Sequence, residues 1–366
     1  MYCAHVSFAI SCILTTFASE TKDRYMNTLI TTISPDSISL IATYRCTAQC
    51  IDCCFQCSPK RTQRLSLEQM KHIVDESITQ FPTIKIVIIT GGECFTLGED
   101  LYAIIRYIHS KQRKVRIVTN GYWASSMERS RQTIERLIAE GLNEINFSTG
   151  DCHQQWVPLD FVINGMIAAL EHNIYTVVNV ETHDCFSFTA KQLQTHPRLQ
   201  PYSKSPYLKI LPGIWISSNH SLPTKQAGAY RMAHTPKRCK QLFKVLTITP
   251  DNELVCCCGL TITTHSFLNL GTVTEGKIKQ LWDTQFNDFM KIWLYTEGPE
   301  KIMKYVSGID PTIMLPNMEQ RHICEICHYI LTNAEIIRIL QQNYKAVLPR
   351  ILLEYTMLSN TKNKLL

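Results

Sequence analysis

Thr43-Tyr44-Arg45-Cys46-Thr47-Ala48-Gln49-Cys50-Ile51-Asp52-Cys53-Cys54-Phe55-Gln56-Cys57 is the stretch on which the reading of this chain turns. It packs five cysteines into twelve positions, directly after a short apolar, β-branched run. Cys46, Cys50 and Cys53 stand in C-x3-C-x2-C spacing, close enough for one loop to bring three thiolates to a single metal centre. Iron–sulfur clusters are held by cysteine thiolates, ordinarily four to a cluster. Three ligands on one loop therefore imply either a fourth from elsewhere or an iron left open for chemistry. Cys50, Cys54 and Cys57 repeat the spacing, so a second frame stands beside the first. The first is preferred because Cys46 lies nearest the end of the preceding strand.

Outward from this loop, the chain alternates apolar runs with amphipathic stretches. Strands are expected at Ile38 to Tyr44, Ile84 to Thr90, Val115 to Thr119, Glu144 to Thr149, Tyr175 to Val180 and Tyr207 to Leu211. Helices are expected near Asp100 to Ser110, Glu128 to Glu140 and Leu159 to His172. Another begins at Ser66, where Gln69 completes a capping box, Leu65 and Met70 form a hydrophobic staple, and Leu67, Met70, Ile73, Val74 and Ile78 share one face. Such βα alternation specifies a parallel sheet, here an α/β fold of the partial (β/α)6 barrel type. Ligands bind at the carboxyl ends of the strands in such sheets, so the cysteine loop, Gly91-Gly92-Glu93, Asn120-Gly121 and Ser148 to His153 should converge.

After about residue 212 the prolines at 212, 223 and 236 and the loss of long periodic stretches mark a transition to a smaller, cysteine-containing domain. The expected organisation is an N-terminal extension over 1–37, the barrel over 38–212, the cysteine domain over 213–333 and a helical tail over 334–366. Sixteen cysteines in a chain of 366 residues, clustered at 46–57, 256–258 and 324–327, fit metal ligation in a reducing compartment better than a disulfide framework. The run Tyr2 to Ala18 lacks a basic n-region and a clear cleavage site, and is too short and polar to span a membrane. A cytoplasmic protein is expected. The net charge of +6 comes without a Lys/Arg stripe, which argues against a dedicated nucleic-acid binder.

Cys46, Cys50 and Cys53, with Gly91-Gly92-Glu93 at a strand end about forty residues on, resemble the radical S-adenosylmethionine (radical SAM) superfamily. The resemblance implies a [4Fe-4S] cluster on the three cysteines, with the fourth iron chelating S-adenosylmethionine. One-electron cleavage then gives methionine and a 5′-deoxyadenosyl radical that abstracts hydrogen from a substrate. Radical chemistry of this kind must be carried by a cofactor. Gly91 and Gly92 would let backbone approach the methionine moiety, Glu93 would meet its ammonium, and Asn120 and Ser148 would contact the cofactor from their strand ends. The family usually has an aromatic residue just before the third cysteine; here it is Asp52.

Cys239, Cys257, Cys324 and Cys327 are similar to the family's twitch or SPASM domain, which implies an auxiliary [4Fe-4S] cluster, although four thiolates suit a structural zinc ion equally well. Cys257 is preferred to Cys256 and Cys258 by spacing, and Asn252 stands where the family has glycine, as a residue tolerant of positive φ. Asp151 and His153 are candidate acid–base or substrate-binding groups, the alternative being a loop histidine beside a turn-capping aspartate. The implied function is maturation of a ribosomally made peptide, with a flavodoxin- or ferredoxin-type reductant and a precursor peptide as partners. Dehydrogenation of a small alcohol or sugar is the competing activity, and a zinc-stabilised binding protein the competing class. Cys3, Cys12, Cys94 and Cys185 read as isolated small hydrophobes.

Overall fold

The computed structural model describes residues 32–182, 186–214, 216, 238–260, 266–316 and 318–364. The N-terminal stretch with Cys3 and Cys12, and Cys185, Pro223 and Pro236, lie outside the described residues. The chain divides into two compact units, one of Asp36–Pro223 with Thr247–Glu253, the other of Met1–Pro35, Thr224–Leu246 and Leu254–Leu366.

The first unit holds six strands: β1 (Ser37–Thr43), β2 (Ile86–Gly91), β3 (Lys114–Thr119), β4 (Glu144–Thr149), β5 (Tyr175–Thr182) and β6 (Leu208–Ile214). Each pairs in parallel with its predecessor, so the spatial order is the chain order, β1 to β6. A sheet wound in one direction by right-handed crossovers carries its helices on one face. The burial alternation agrees: Val87, Ile89, Val115, Ile117, Ile145 and Phe147 are fully buried, while the residues between them are partly open. The result is an open parallel sheet of the partial-barrel type, with one face under helices.

The helices of this unit are Leu67–Gln80, Glu99–Ser110, Met127–Ala139 and Leu159–Glu171, with short turns of helix at Asp151–Gln154 and Ala190–Gln194. The Ser66 box forms as its sequence dictates: Ser66 Oγ accepts from Gln69 N at 3.1 Å and Gln69 Oε1 accepts from Ser66 N at 2.8 Å. Strand ends drift from the sequence expectation by at most three residues, as with β2, which starts at Ile86 rather than Ile84, and β4 matches at both ends.

In the second unit, strands Glu253–Val255 and Asn269–Thr272 are neighbours, and helices Ile278–Thr284, Phe289–Thr296, Pro299–Ile309, Ile323–Thr332, Ala334–Asn343 and Leu348–Lys364 supply most of the rest. Trp282, Phe289, Trp293 and Tyr355 are fully buried and form the heart of its core. No helix among the described residues is long and apolar enough to cross a membrane.

Candidate active site

The cysteine loop leaves β1 at Thr43 and is closed by its own backbone. Tyr44 N donates to Gln63 O at 3.0 Å, Cys46 N to Ser58 O at 3.2 Å and Ser58 N to Tyr44 O at 3.3 Å. Arg61 adds a clamp: its guanidinium lies 3.7 Å from the centre of the Tyr44 ring and donates to the carbonyls of Phe55 and Gln56 at 3.2 and 3.4 Å. Stacking of this kind contributes about 0.5–2 kcal/mol, depending on desolvation.

Gly91 and Gly92 lock that loop to the sheet. Gly92 N donates to Thr43 O at 2.7 Å and Glu93 N to Arg45 O at 2.9 Å. A Cβ on Gly91 would sit 2.3 Å from Thr43 O, and one on Gly92 2.2 Å from Arg45 O. The backbone these glycines admit is therefore the chain's own cysteine loop. Glu93 is fully buried, and its carboxylate accepts from Phe95 N at 3.1 Å, from Asn120 N at 2.7 Å and from Thr119 Oγ1 at 2.9 Å. Burial pushes Glu93 up to about 7, against the opposing pull of the Asn120 and Phe95 amides. It thus ties the ends of β2 and β3 together. Thr119 extends the network, because its Oγ1 also accepts from Trp123 Nε1 at 3.1 Å; the sequence signal for Thr119 is only its place at a strand end.

Asn120 reaches back to the loop, where its Nδ2 donates to Thr47 Oγ1 at 3.0 Å and lies 3.7 Å from Cys46 Sγ. Ala48 N donates to the same sulfur at 3.4 Å. Cys53 Sγ accepts from Cys57 N at 3.4 Å, and the Cys50 thiol faces Cys152 O at 3.9 Å. Burial pushes Cys46 up to about 12 and raises Cys50 as well, each with neighbouring loop thiols adding to the shift. Cys53 is held down at about 6, chiefly by a hydrogen bond from the Cys57 thiol. Cys46, Cys50 and Cys53 thus share one backbone-closed loop at the end of β1. Among the described residues no three His, Cys, Asp or Glu side chains are already drawn into a metal geometry. The fit to an iron–sulfur centre rests on the donor chemistry: three clustered thiols, with amide donors aimed at two of the sulfurs.

At the end of β4, Ser148 lies opposite Asn179 of β5. Asp151 does not meet His153. Its carboxylate accepts from Ser187 N and Oγ at 3.1 and 2.7 Å and from Phe188 N at 2.9 Å. Burial would raise it, but these bonds hold it below the usual carboxylate range. The carboxylate beside His153 is that of Glu181 on β5, with Oε2 3.0 Å from Nδ1 and Oε1 accepting from His153 N at 3.0 Å and from Cys152 N. Gly150 makes room, since a Cβ there would lie 2.0 Å from Glu181 Cγ. Sequence reading misses Glu181 because it lies in another βα unit; an acidic residue near the end of an otherwise apolar strand is the available signal.

In the second unit, Cys239 N is anchored to Leu294 O at 3.2 Å. Cys324 and Cys327 stand one turn apart on helix Ile323–Thr332, whose first turn is capped by His322 and Glu325. Cys257 Sγ accepts from Gly259 N at 3.1 Å, and a Cβ on Gly259 would lie 3.0 Å from Cys257 Sγ and 3.4 Å from Cys324 Sγ, so these two sulfurs flank the glycine. The Cys258 thiol turns to Gln241 Oε1 at 3.4 Å, and the fully buried Cys256 feels Lys291 and Asp288. Burial raises Cys239, Cys257 and Cys327, and lifts Cys324 to about 11. Asn252 takes φ 60°, the left-handed conformation expected of it. Cys94 is fully buried but not isolated, since its thiol donates to Glu93 Oε1 at 3.7 Å.

Residues 40–151 match the model of the Radical SAM superfamily. YydG of Bacillus subtilis (strain 168), described as a candidate peptide biosynthesis protein, is 26% identical over 137 residues, 37% of this chain. That match spans 41% of the relative's length. Among solved structures, a hexahistidine-tagged form of anSMEcpe with bound AdoMet superposes with a TM-score of 0.51 at 12% identity, over 88% of this chain and 99% of that one. The native form of the same protein, with AdoMet and the Cp18Cys peptide, gives a TM-score of 0.48 at 12% identity, over 90% and 100%. At this identity the first likeness speaks for the fold alone.

Proposed function

We propose that this chain is a radical SAM enzyme that acts on a peptide. Cys46, Cys50 and Cys53 would hold a [4Fe-4S] cluster, and Cys239, Cys257, Cys324 and Cys327 an auxiliary one. With S-adenosylmethionine bound, the first cluster supplies reductive sulfonium cleavage and a 5′-deoxyadenosyl radical that abstracts hydrogen from the substrate. The observation that carries this reading is that three thiols share one backbone-closed loop at a strand end tied by Gly91, Gly92 and Glu93 to the neighbouring strands.

The chain's own groups have separable tasks. The backbone bonds of Gly92 and Glu93 fix the start of the loop, and Asn120 spans from β3 to Cys46. Glu93 organises the strand ends through its bonds to Phe95 N, Thr119 and Asn120 N. His153, oriented by Glu181, is the candidate for proton transfer or for binding substrate. The peptide class is supported by the description of YydG. The electron would come from a flavodoxin- or ferredoxin-type protein.

The test is anaerobic purification followed by reduction in the presence of S-adenosylmethionine. A brown protein with about seven to eight irons per chain, two clusters' worth, and 5′-deoxyadenosine as product is expected. A colourless, zinc-loaded protein that leaves S-adenosylmethionine intact would sink the proposal.

A further inference from the structure

The cysteine loop differs from the helices of its unit in how its charges are disposed. Along the helices and at their ends, cations meet carboxylates: Arg106 lies 2.5 Å from Glu140, Arg131 2.8 Å from Glu171 and Lys111 2.7 Å from Asp75. Between Arg45 and Arg64 the chain has four basic residues and one acidic residue, Asp52, which is buried. Arg64 pairs with Asp100, and Arg61 is occupied by the Tyr44 ring and the carbonyls of Phe55 and Gln56. Arg45 and Lys60 are exposed, and among the described residues no carboxylate pairs with either. Arg45 is bridged to Ser58, two residues before Lys60, so both cations stand at the closed base of the loop. Midway along the loop Ile51, next to Cys50, is 70% exposed.

We propose that the outer face of this loop is the docking surface for the one-electron donor, a protein with an acidic patch around its redox group. The inference rests on the reading of Cys46, Cys50 and Cys53 as ligands of a [4Fe-4S] centre. Electron transfer between proteins falls off steeply with distance, so the donor has to seat beside the loop that holds the centre, and a partner resting on Ile51 is one residue from Cys50. Unpaired cations speed the encounter with an acidic surface, and an exposed apolar side chain gives a small, transient interface its dry contact. The transfer is of a single electron: the donor is oxidised, the centre is reduced, and no bond forms or breaks between the two proteins.

The experiment uses the full chain, loaded anaerobically with iron and sulfide, as wild type, Lys60→Glu and the double variant Arg45→Glu/Lys60→Glu, with flavodoxin as the probe. The readouts are iron per chain, the dissociation constant for oxidised flavodoxin by calorimetry, and the rate of 5′-deoxyadenosine formation with reduced flavodoxin divided by the rate with dithionite, a small reductant that needs no docking surface. Lys60→Glu should keep its iron and its dithionite-driven rate while binding flavodoxin more weakly. In the double variant, binding and the rate ratio should each fall by about tenfold at low salt, and the gap from wild type should close as salt is raised. An unchanged dissociation constant and ratio overturn the proposal, and weakened binding of an oligoglutamate peptide would then give the surface to a substrate. Equal loss with both reductants also overturns it, since the cations would then act on the centre itself. A wild type that forms no 5′-deoxyadenosine even with dithionite removes the ligand reading, and the proposal with it.

Discussion

The two cysteine sets are built in opposite ways. Cys46, Cys50 and Cys53 come from one loop, shaped by hydrogen bonds within it and fastened to β2 and β3 by Gly92, Glu93 and Asn120. Cys239, Cys257, Cys324 and Cys327 come from three segments far apart in sequence, and only the last two share an element. In the first set amide donors reach two of the sulfurs; in the second, Gly259 N serves Cys257 while burial raises all four thiols. A local set can be poised for chemistry by a handful of bonds. A distributed set depends on the packing of a whole unit.

That contrast can be broken in graded steps. The largest effect should come from Cys46→Ala, Cys50→Ala or Cys53→Ala, each abolishing 5′-deoxyadenosine formation; full activity in any one would show that the local set is wrongly drawn. Gly92→Ala should cost on the order of 3–5 kcal/mol, since its Cβ would meet the Arg45 carbonyl, and denaturant melts would register it. A smaller effect concerns Glu93. Its folded-state pKa is raised to about 7, so the stability it contributes is complete at pH below the ordinary carboxylate value of 4.5 and is lost as pH rises through 7. Comparing melts across that window, Glu93→Gln should remove about 2–3 kcal/mol of the pH dependence. The smallest effect on cleavage belongs to the distributed set. Cys327→Ala should lower iron by about four per chain, one cluster, while S-adenosylmethionine cleavage stays within about twofold; loss of both would join the two centres functionally.

The local set is legible in sequence because its information is local. Spacing places Cys46, Cys50 and Cys53 on one loop, the β-branched run places that loop after a strand, and the Ser66 box marks where the next helix starts. The glycines are legible as glycines but not for their packing, since the clash they avoid is with Thr43 and Arg45, about forty-five residues away. Sequence proximity offers Asp151 as the partner of His153, two residues off, whereas the structure supplies Glu181 from the adjacent strand. Parallel sheets bring strand ends together across crossovers of about a dozen or more residues, and no local pattern encodes which side chain will arrive. Cys57 is opaque in the sequence for the opposite reason: its partner is four residues away, but only the reversal at Gln56 turns that proximity into a contact.

The closure of the loop at Tyr44, Cys46 and Ser58 uses no sulfur at all. The conformational-entropy cost of ordering this loop is therefore offset by main-chain bonds, which substitution of a loop cysteine leaves in place.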